Sequence, residues 1–207
     1  MKIILLILSL GVLCCSCSTT HDHESEDTTS IVDLKAVEYN NRIVSFSKPV
    51  ISEFNSTLNM LLTMQLKVHQ GPLDKIELDA YTRNVIYLDS MLVASSDSIR
   101  KMSEFDQELK LKQSTLTRLE SYRNMLNNEY AQIYQFIVDN TSSDADITIE
   151  VILDVGERTV QIEREKYKTQ QQFANKYGFE LLDHNPTDYD QKEQQFKELR
   201  KQLGVSK

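Results

Sequence analysis

The chain has few of the residues that several folds and activities require. It contains 3 cysteines, 5 glycines and 3 prolines in 207 residues, and no cysteine follows Cys17. A disulfide-stabilised domain is therefore excluded, because the rest of the chain has no pair of thiols to join. The scarcity of glycine and proline also argues against an all-β fold, which needs a turn about every ten residues.

The common catalytic and nucleotide-binding motifs are absent as well. The sequence has no phosphate-binding glycine loop, no H-E-x-x-H zinc motif and no G-x-S-x-G nucleophile motif. A di-iron helical bundle needs Glu-x-x-His pairs, and neither His69 nor His184 has a glutamate three residues earlier. We therefore predict that the protein is not an enzyme and has no catalytic residue, no cofactor and no metal site.

The negative net charge limits the partners of the protein. The formal net charge is −8 at pH 7, which argues against nucleic acid as a partner and against electrostatic adhesion to anionic lipid. Stable attachment to a membrane would then have to come from covalently bound acyl chains.

An apolar run that ends in clustered cysteines opens the chain. In IILLILSLGVLCCSC the apolar region Ile3–Leu13 has eleven residues, against the ~20 that a membrane-spanning helix needs. The pattern resembles a bacterial lipoprotein signal, in which a cysteine just after a small residue is lipidated and becomes the first residue of the mature protein. Ser16 is that small residue, so Cys17 is the predicted lipidation site. Cys15 is the alternative and Cys14 the third choice.

The next segment, STTHDHESEDTTS at residues 18–30, is acidic and almost free of apolar side chains. Because it cannot bury enough apolar surface to offset the entropy of ordering, we predict a flexible tether. Thirteen residues extend to roughly 43 Å. His21, Asp22, His23 and Glu24 bind a divalent ion weakly at best, since no preorganised partner is evident.

Most of the remaining chain has the periodicity of long helices. Between Leu73 and Asn185 there is no proline, and only Gly156 and Gly178 interrupt the pattern. Apolar residues recur at helical spacing in four stretches, which are approximately residues 30–70, 73–102, 109–140 and 147–177. We therefore predict an elongated all-α, up-down-up-down four-helix bundle with a short C-terminal helical tail. The predicted divisions are residues 1–16 (signal peptide), 17–30 (lipidated cysteine and tether), 31–182 (bundle) and 183–207 (tail).

Several local features allow more than one interpretation. Pro49 predicts a kink or a break near Ser47 in the first helix. Residues 147–156 include the β-branched stretch ITIEVIL, which is typical of a strand, although no second strand is available to pair with it. Gly156 is the expected position of a bend. The tail helix, residues 187–203, is either packed on the outside of the bundle or partly disordered.

Three basic residues suggest a speculative polar pocket. Lys112 and Arg123 fall on the apolar seam of the third helix, where their stems either cover the edge of the seam or line a buried polar site. Lys166 lies in the stretch ERTVQIEREKYK, for which the simpler prediction is a solvated face with Glu163–Lys166 and Glu165–Lys168 pairs.

A wider resemblance rests on three stretches. AVEYNNRIVSF, FDQELKLKQSTLTRLESYRNMLNNEYAQI and QQFANKYGFEL are similar to an uncharacterised helical surface-lipoprotein family of double-membraned bacteria, over residues 36–182. The motifs are Tyr39-Asn40-Asn41, Tyr122 and Phe173-Ala174. The resemblance implies a helical lipoprotein and supplies no catalytic residue.

The leading prediction is a lipid-anchored lipoprotein of the outer membrane, facing the periplasm or the cell surface. It would be a non-enzymatic binding or structural module, attached to the membrane through its N-terminal acyl chains, with an envelope protein as a possible partner. One alternative is a ligand-binding protein or hydrolase with a pocket between the helices. Another is an assembly factor whose tail docks on a partner.

Overall fold

The described part of the protein is all-helical, as predicted. A computed structural model describes residues 33–68, 71–139, 145–181 and 187–204, and no strand occurs in these ranges. The helices are α1 (Leu34–Val68), α2 (Lys75–Arg100), α3 (Leu111–Met125), α4 (Ala131–Asp139), α5 (Ala145–Tyr177) and α6 (Thr187–Leu203). A π-helical turn, Leu126–Tyr130, joins α3 to α4 without interruption. Within the same ranges, no helix is both long and apolar enough to cross a membrane.

Helix α1 begins at an aspartate and continues through its proline. The Asp33 carboxylate accepts the N–H groups of Lys35 at 2.9 Å and Ala36 at 3.2 Å, and so caps the first turn. Of the kink or break predicted near Ser47, the break is wrong, because α1 is continuous through Pro49. Pro49 and Ser45, whose carbonyl loses its helical donor, are both exposed. Water can therefore satisfy that carbonyl.

The ends of α2 and α5 are fixed by local hydrogen bonds. Asp74 caps α2 by accepting the Glu77 N–H at 2.8 Å. Gly178 follows α5 with φ 72°, a left-handed conformation that favours glycine. The Phe179 N–H then donates to the Ala174 carbonyl at 3.1 Å, which completes a glycine cap at the point where the predicted helical stretch ends.

The strand alternative for residues 147–156 is wrong, because these residues lie inside α5. Ile152 and Val155 are buried in the main core, which includes residues of α1 to α4. The described ranges offer no second strand, so this segment buries its apolar side chains as a helix. At Gly156 the helix continues, and a Cβ there would overlap the ring of Phe196.

The tail forms a helix that packs on α5. Tyr189, Phe196 and Leu199 of α6 are buried against Leu153, Val160 and Tyr167 of α5. The Arg200 side chain, 8% exposed, pairs with Glu157 at 2.6 Å and also with Asp154. The sequence left two possibilities for this segment, packed or partly disordered, and the structure shows it packed on α5.

Aromatic rings fill two regions of the core. In the middle of the molecule the ring of Phe54 lies 4.4 Å from Tyr122 and 4.8 Å from Tyr130, measured between centroids. A second cluster closes one end and includes Tyr39, Phe105, Phe173, Tyr177 and Phe179. We call this second cluster the aromatic end.

Candidate functional site

A buried ion pair joins α3 to α5. The Arg118 guanidinium donates from Nε to Oε1 of Glu163 at 2.6 Å and from Nη2 to Oε2 at 2.9 Å. Both side chains are only 2% exposed. Tyr122 lies one helical turn after Arg118, and its hydroxyl donates to Oε1 of the same glutamate. Both oxygens of the Glu163 carboxylate therefore accept hydrogen bonds, in a bidentate pair with an added hydroxyl.

The electrostatics keep Arg118 charged and Tyr122 protonated. Burial alone would lower the pKa of Arg118, but the adjacent Glu163 carboxylate outweighs it, so the pKa lies above its ordinary value. Burial, together with the negative charge of Glu163, raises the pKa of Tyr122 well above its ordinary value. Tyr122 therefore remains a hydrogen-bond donor throughout the neutral pH range.

One nitrogen of this cluster has no partner among the described residues. Nη1 of Arg118 is buried and donates to no hydrogen-bond acceptor there. Such unsatisfied buried donors are rare and costly in folded proteins. Arg118 also lines an open groove of about 410 Å³ between α3 and α5. This groove is lined by Leu109, Lys110, Gln113, Ser114, Thr117, Arg118, Ser121, Gln161, Ile162, Glu165 and Lys166.

The surface of the groove is mostly apolar, with a few charged side chains along it. Lys110 and Lys166 supply positive charge and Glu165 supplies one negative charge, whereas the charge of Arg118 is already paired with Glu163. Its volume is within the range of small-molecule sites, ~300–1,000 Å³. The chemistry of these side chains fits an anionic group held by charge-assisted hydrogen bonds.

The structure gives the three predicted pocket residues different surroundings. Nζ of Lys112 donates to the carbonyls of Arg100 at 3.0 Å and Met102 at 2.6 Å, and so caps the end of α2. Arg123 is exposed and makes a bidentate pair with Asp89 at 2.7 and 3.2 Å. Lys166 alone of the three lines the groove. The three residues therefore do not share one pocket, and only Lys166 lines the groove.

The predicted solvated face of α5 is partly wrong. Glu163 is 1% exposed and Lys166 is 6% exposed, so this part of the face is buried between helices. The Glu165–Lys168 pair is on the surface as predicted, with 3.1 Å between Oε1 and Nζ. Sequence analysis missed the pairing of Arg118 with Glu163. We call this buried pair and its surroundings the polar core.

A second polar cluster organises the segment that leads into α3. Asp106 accepts the N–H groups of Glu108 at 2.8 Å and Leu109 at 3.0 Å, and the Tyr177 hydroxyl at 3.0 Å. Lys176 lies 2.6 Å from the same carboxylate. Lys176 and these donors hold the pKa of Asp106 well below its ordinary value. We interpret the cluster as structural, because it fixes the segment before α3 to the end of α5 at the aromatic end.

Other predicted site residues lie outside the described ranges. These are the cysteines at 14, 15 and 17 and the tether residues His21, Asp22, His23 and Glu24. His69 and His184, to which no site was assigned, also lie outside these ranges. Among the residues that the structure does describe, no group of three or more His, Cys, Asp or Glu side chains is placed to hold a metal ion.

Comparisons of the chain with protein-family profiles, with curated proteins and with solved structures found no match.

Proposed function

We propose that this protein is a lipid-anchored lipoprotein of the bacterial cell envelope, in which an all-helical module serves a non-enzymatic binding or structural role. The observation behind the proposal is the short apolar run that ends in Ser16-Cys17 and is followed by an acidic segment before α1. Two or more acyl chains on Cys17 would anchor an otherwise acidic protein stably. The outer membrane is the proposed location, and the resemblance to surface lipoproteins supports it.

The start of α1 indicates how the module would sit relative to the lipid. The Asp33 N–H donates to the Tyr177 carbonyl at 3.2 Å, which ties the first described residue to the aromatic end. The tether would therefore enter the module there. Helix α1 has 35 residues and is about 52 Å long at 1.5 Å per residue. The opposite end, near Val68, would then be held away from the membrane and be available to a partner.

We further propose that α1, α2, α3–α4 and α5 form an elongated up-down-up-down four-helix bundle. The support is the order of the pairs between helices, because residue numbers rise along one helix as they fall along its neighbour. These pairs are Phe46–Ser95 and Lys67–Glu77 for α1 and α2, Arg123–Asp89 and Tyr134–Tyr81 for α2 and α3–α4, and Arg118–Glu163 and Glu129–Arg158 for α3–α4 and α5.

Metabolic labelling with a palmitate analogue, followed by mass spectrometry of the mature N-terminus, tests the anchor. The wild-type chain should begin at Cys17 with acyl groups attached. The Cys17→Ser variant should lose both cleavage and label, whereas the matched controls Cys14→Ser and Cys15→Ser should keep them. Label that persists in Cys17→Ser and disappears in Cys15→Ser would move the site to the alternative cysteine. A native N-terminus that is not acylated would refute the proposal.

The groove between α3 and α5 supports a second candidate function, the binding of a small anionic ligand. Its support is the buried, unpartnered Nη1 of Arg118 in a groove that Lys110 and Lys166 also line. A thermal-shift titration with inorganic phosphate and with small dicarboxylates tests it, since a ligand at 100 times its Kd stabilises by about 2.7 kcal/mol. Lys166→Met should weaken the shift and Lys168→Met, on the exposed side of α5, should not. No shift with any of these anions in the wild type would refute this candidate.

A further inference from the structure

The outward face of α2 is more apolar than the surface of a soluble helix requires. Ile76 is 76% exposed, Ile86 65%, Tyr87 55% and Val93 37%. Four of the six large apolar side chains that are exposed in the described ranges therefore lie on this one helix. An exposed apolar patch of this kind usually marks an interaction surface.

These residues share one face because of the helical period. Ile86 and Val93 are seven residues apart, as are Tyr87 and Ala94, so each pair lies on one side of the helix two turns apart. Ser90 lies between them at the centre, and both Ser90 and Ala94 are exposed. Small residues at the centre of a helix face allow another helix to approach closely. The face that comprises Ile86, Tyr87, Ser90, Val93 and Ala94 is called the α2 face below.

Charged residues flank the α2 face. Their order is such that two antiparallel copies of the helix bring opposite charges together. Asp79 and Arg83 precede it, and Asp97 and Lys101 follow it, and all four are exposed. Arg83 and Asp97 are each seven residues from Ser90, and Asp79 and Lys101 are each eleven residues from it. When a second α2 is laid antiparallel across the first with Ser90 at the centre, each charge meets an opposite charge.

We propose that the α2 face is covered by the α2 face of a second copy of this chain, in an antiparallel pair with a two-fold axis at Ser90. Such an interface is isologous, since each copy uses the same patch. In this arrangement Ile86 packs against Val93 of the second copy, and Tyr87 packs against its Ala94. Arg83 pairs with Asp97 of the second copy, and Asp79 pairs with its Lys101. Each of these contacts occurs twice.

The charge order excludes the parallel alternative. Two parallel α2 helices in register would place Arg83 against Arg83 and Asp97 against Asp97, and like charges in contact disfavour a complex. Asp97 also pairs with Arg100 of its own chain at 2.8 Å, but that pair is exposed, with the side chains 52% and 64% accessible. It is therefore weak enough to rearrange when Arg83 of the second copy arrives.

The antiparallel pair also has a consequence for the lipid anchors, although it does not depend on them. Helix α2 has 26 residues and is about 39 Å long, so the two tethers would leave the dimer at opposite ends. A dimer with both anchors in one bilayer would therefore lie along its surface, whereas the upright orientation described above applies to a single copy.

Charge exchange across the two-fold axis tests the proposal. Sedimentation velocity of the full chain in detergent should show a dimer, and Arg83→Glu or Asp97→Arg alone should weaken it at least tenfold in Kd, because each variant places like charges in contact. The double variant Arg83→Glu/Asp97→Arg restores opposite charges and should recover most of the affinity. Circular dichroism checks that all three variants stay helical. A monomeric wild type, or a double variant that is no better than the single variants, would overturn the proposal.

A cysteine at the centre of the face gives an independent test. Under mild oxidation Ser90→Cys should form a disulfide between the two copies of position 90, which is identified as a linked peptide by mass spectrometry. The matched control is Gln172→Cys, an exposed position on α5, which should link much more slowly. Equal rates for the two variants would rule out the two-fold axis at Ser90.

Discussion

The Arg118→Met variant should be much less stable than the wild type. Methionine keeps most of the volume of the arginine stem but leaves Glu163, which is 2% exposed, without its cationic partner. Removing one side of a buried ion pair costs about 3–5 kcal/mol, because the remaining charge stays buried and uncompensated. At about 2–4 °C per kcal/mol for a chain of this size, the midpoint of thermal unfolding should fall by roughly 6–20 °C.

Removing the whole polar cluster should cost far less than removing one member. In the triple variant Arg118→Met/Glu163→Leu/Tyr122→Phe no buried charge remains and no phenolic hydroxyl loses its acceptor. Replacing buried ion pairs by apolar residues of similar volume is often neutral or even stabilising. We therefore expect the triple variant to unfold within about 2 kcal/mol of the wild type, which requires a coupling free energy of several kcal/mol among the three residues.

The exposed Arg123–Asp89 pair provides the matched control on the same helix. Arg123 is bidentate like Arg118, but its side chain is 49% exposed and that of Asp89 is 34% exposed. Arg123→Met should therefore cost no more than about 1 kcal/mol. The assay is thermal unfolding of the full chain followed by far-ultraviolet circular dichroism. The reasoning fails if Arg118→Met costs no more than Arg123→Met, or if the triple variant loses the sum of the single losses.

Two further predictions concern the packing of α6 and the aromatic end. Gly156→Ala should destabilise the α5–α6 contact by about 1–3 kcal/mol through overlap with the Phe196 ring, and limited proteolysis should then cleave α6 more quickly. The added variant Phe196→Ala should remove that overlap, so Gly156→Ala should cost little in its presence. Lys176 and the backbone donors hold the pKa of Asp106 well below its ordinary value, so this group stabilises the fold above its unfolded pKa of about 4 and loses that effect as the pH falls. Asp106→Asn should be less stable at pH 7 and show a smaller loss of stability below pH ~4 in thermal unfolding scans; an unchanged acid dependence would contradict this.

The apolar periodicity of the sequence was sufficient to predict the helices. The helix predicted at residues 73–102 is confirmed as α2, and Tyr81, Leu88, Leu92 and Ile99, which lie at helical spacing, are buried. Gly178 ends α5 as predicted, because a left-handed cap favours glycine and leaves a clear signal in the chain. For residues 147–156 local β-propensity pointed to a strand, and the absence of a pairing strand correctly outweighed it.

The polar core could not be predicted in the same way because α3 has a second buried stripe. Leu111, Thr115, Arg118, Tyr122 and Met125 are all buried, and they alternate in steps of four and three like the predicted seam beside them. Two of the five are polar enough to hide this pattern in a hydrophobicity analysis. An arginine and a glutamate separated by 45 residues also give no sign in the sequence that they pair, so the apolar seam points to Lys112 and Arg123 instead.

The prediction of a solvated face on α5 was partly wrong because this helix has several neighbours. Its Glu163 side chain pairs with α3, its Gln170 donates to Asn40 of α1 at 2.8 Å, and its Glu157 pairs with Arg200 of α6. A helix that is surrounded on several sides normally needs apolar residues on several sides. Here polar side chains fill those positions, and each finds a partner on a different helix. This face of α5 therefore looks solvated in sequence although it lies between neighbouring helices, and its polar contacts fix the register of three neighbours that apolar packing alone would leave less defined.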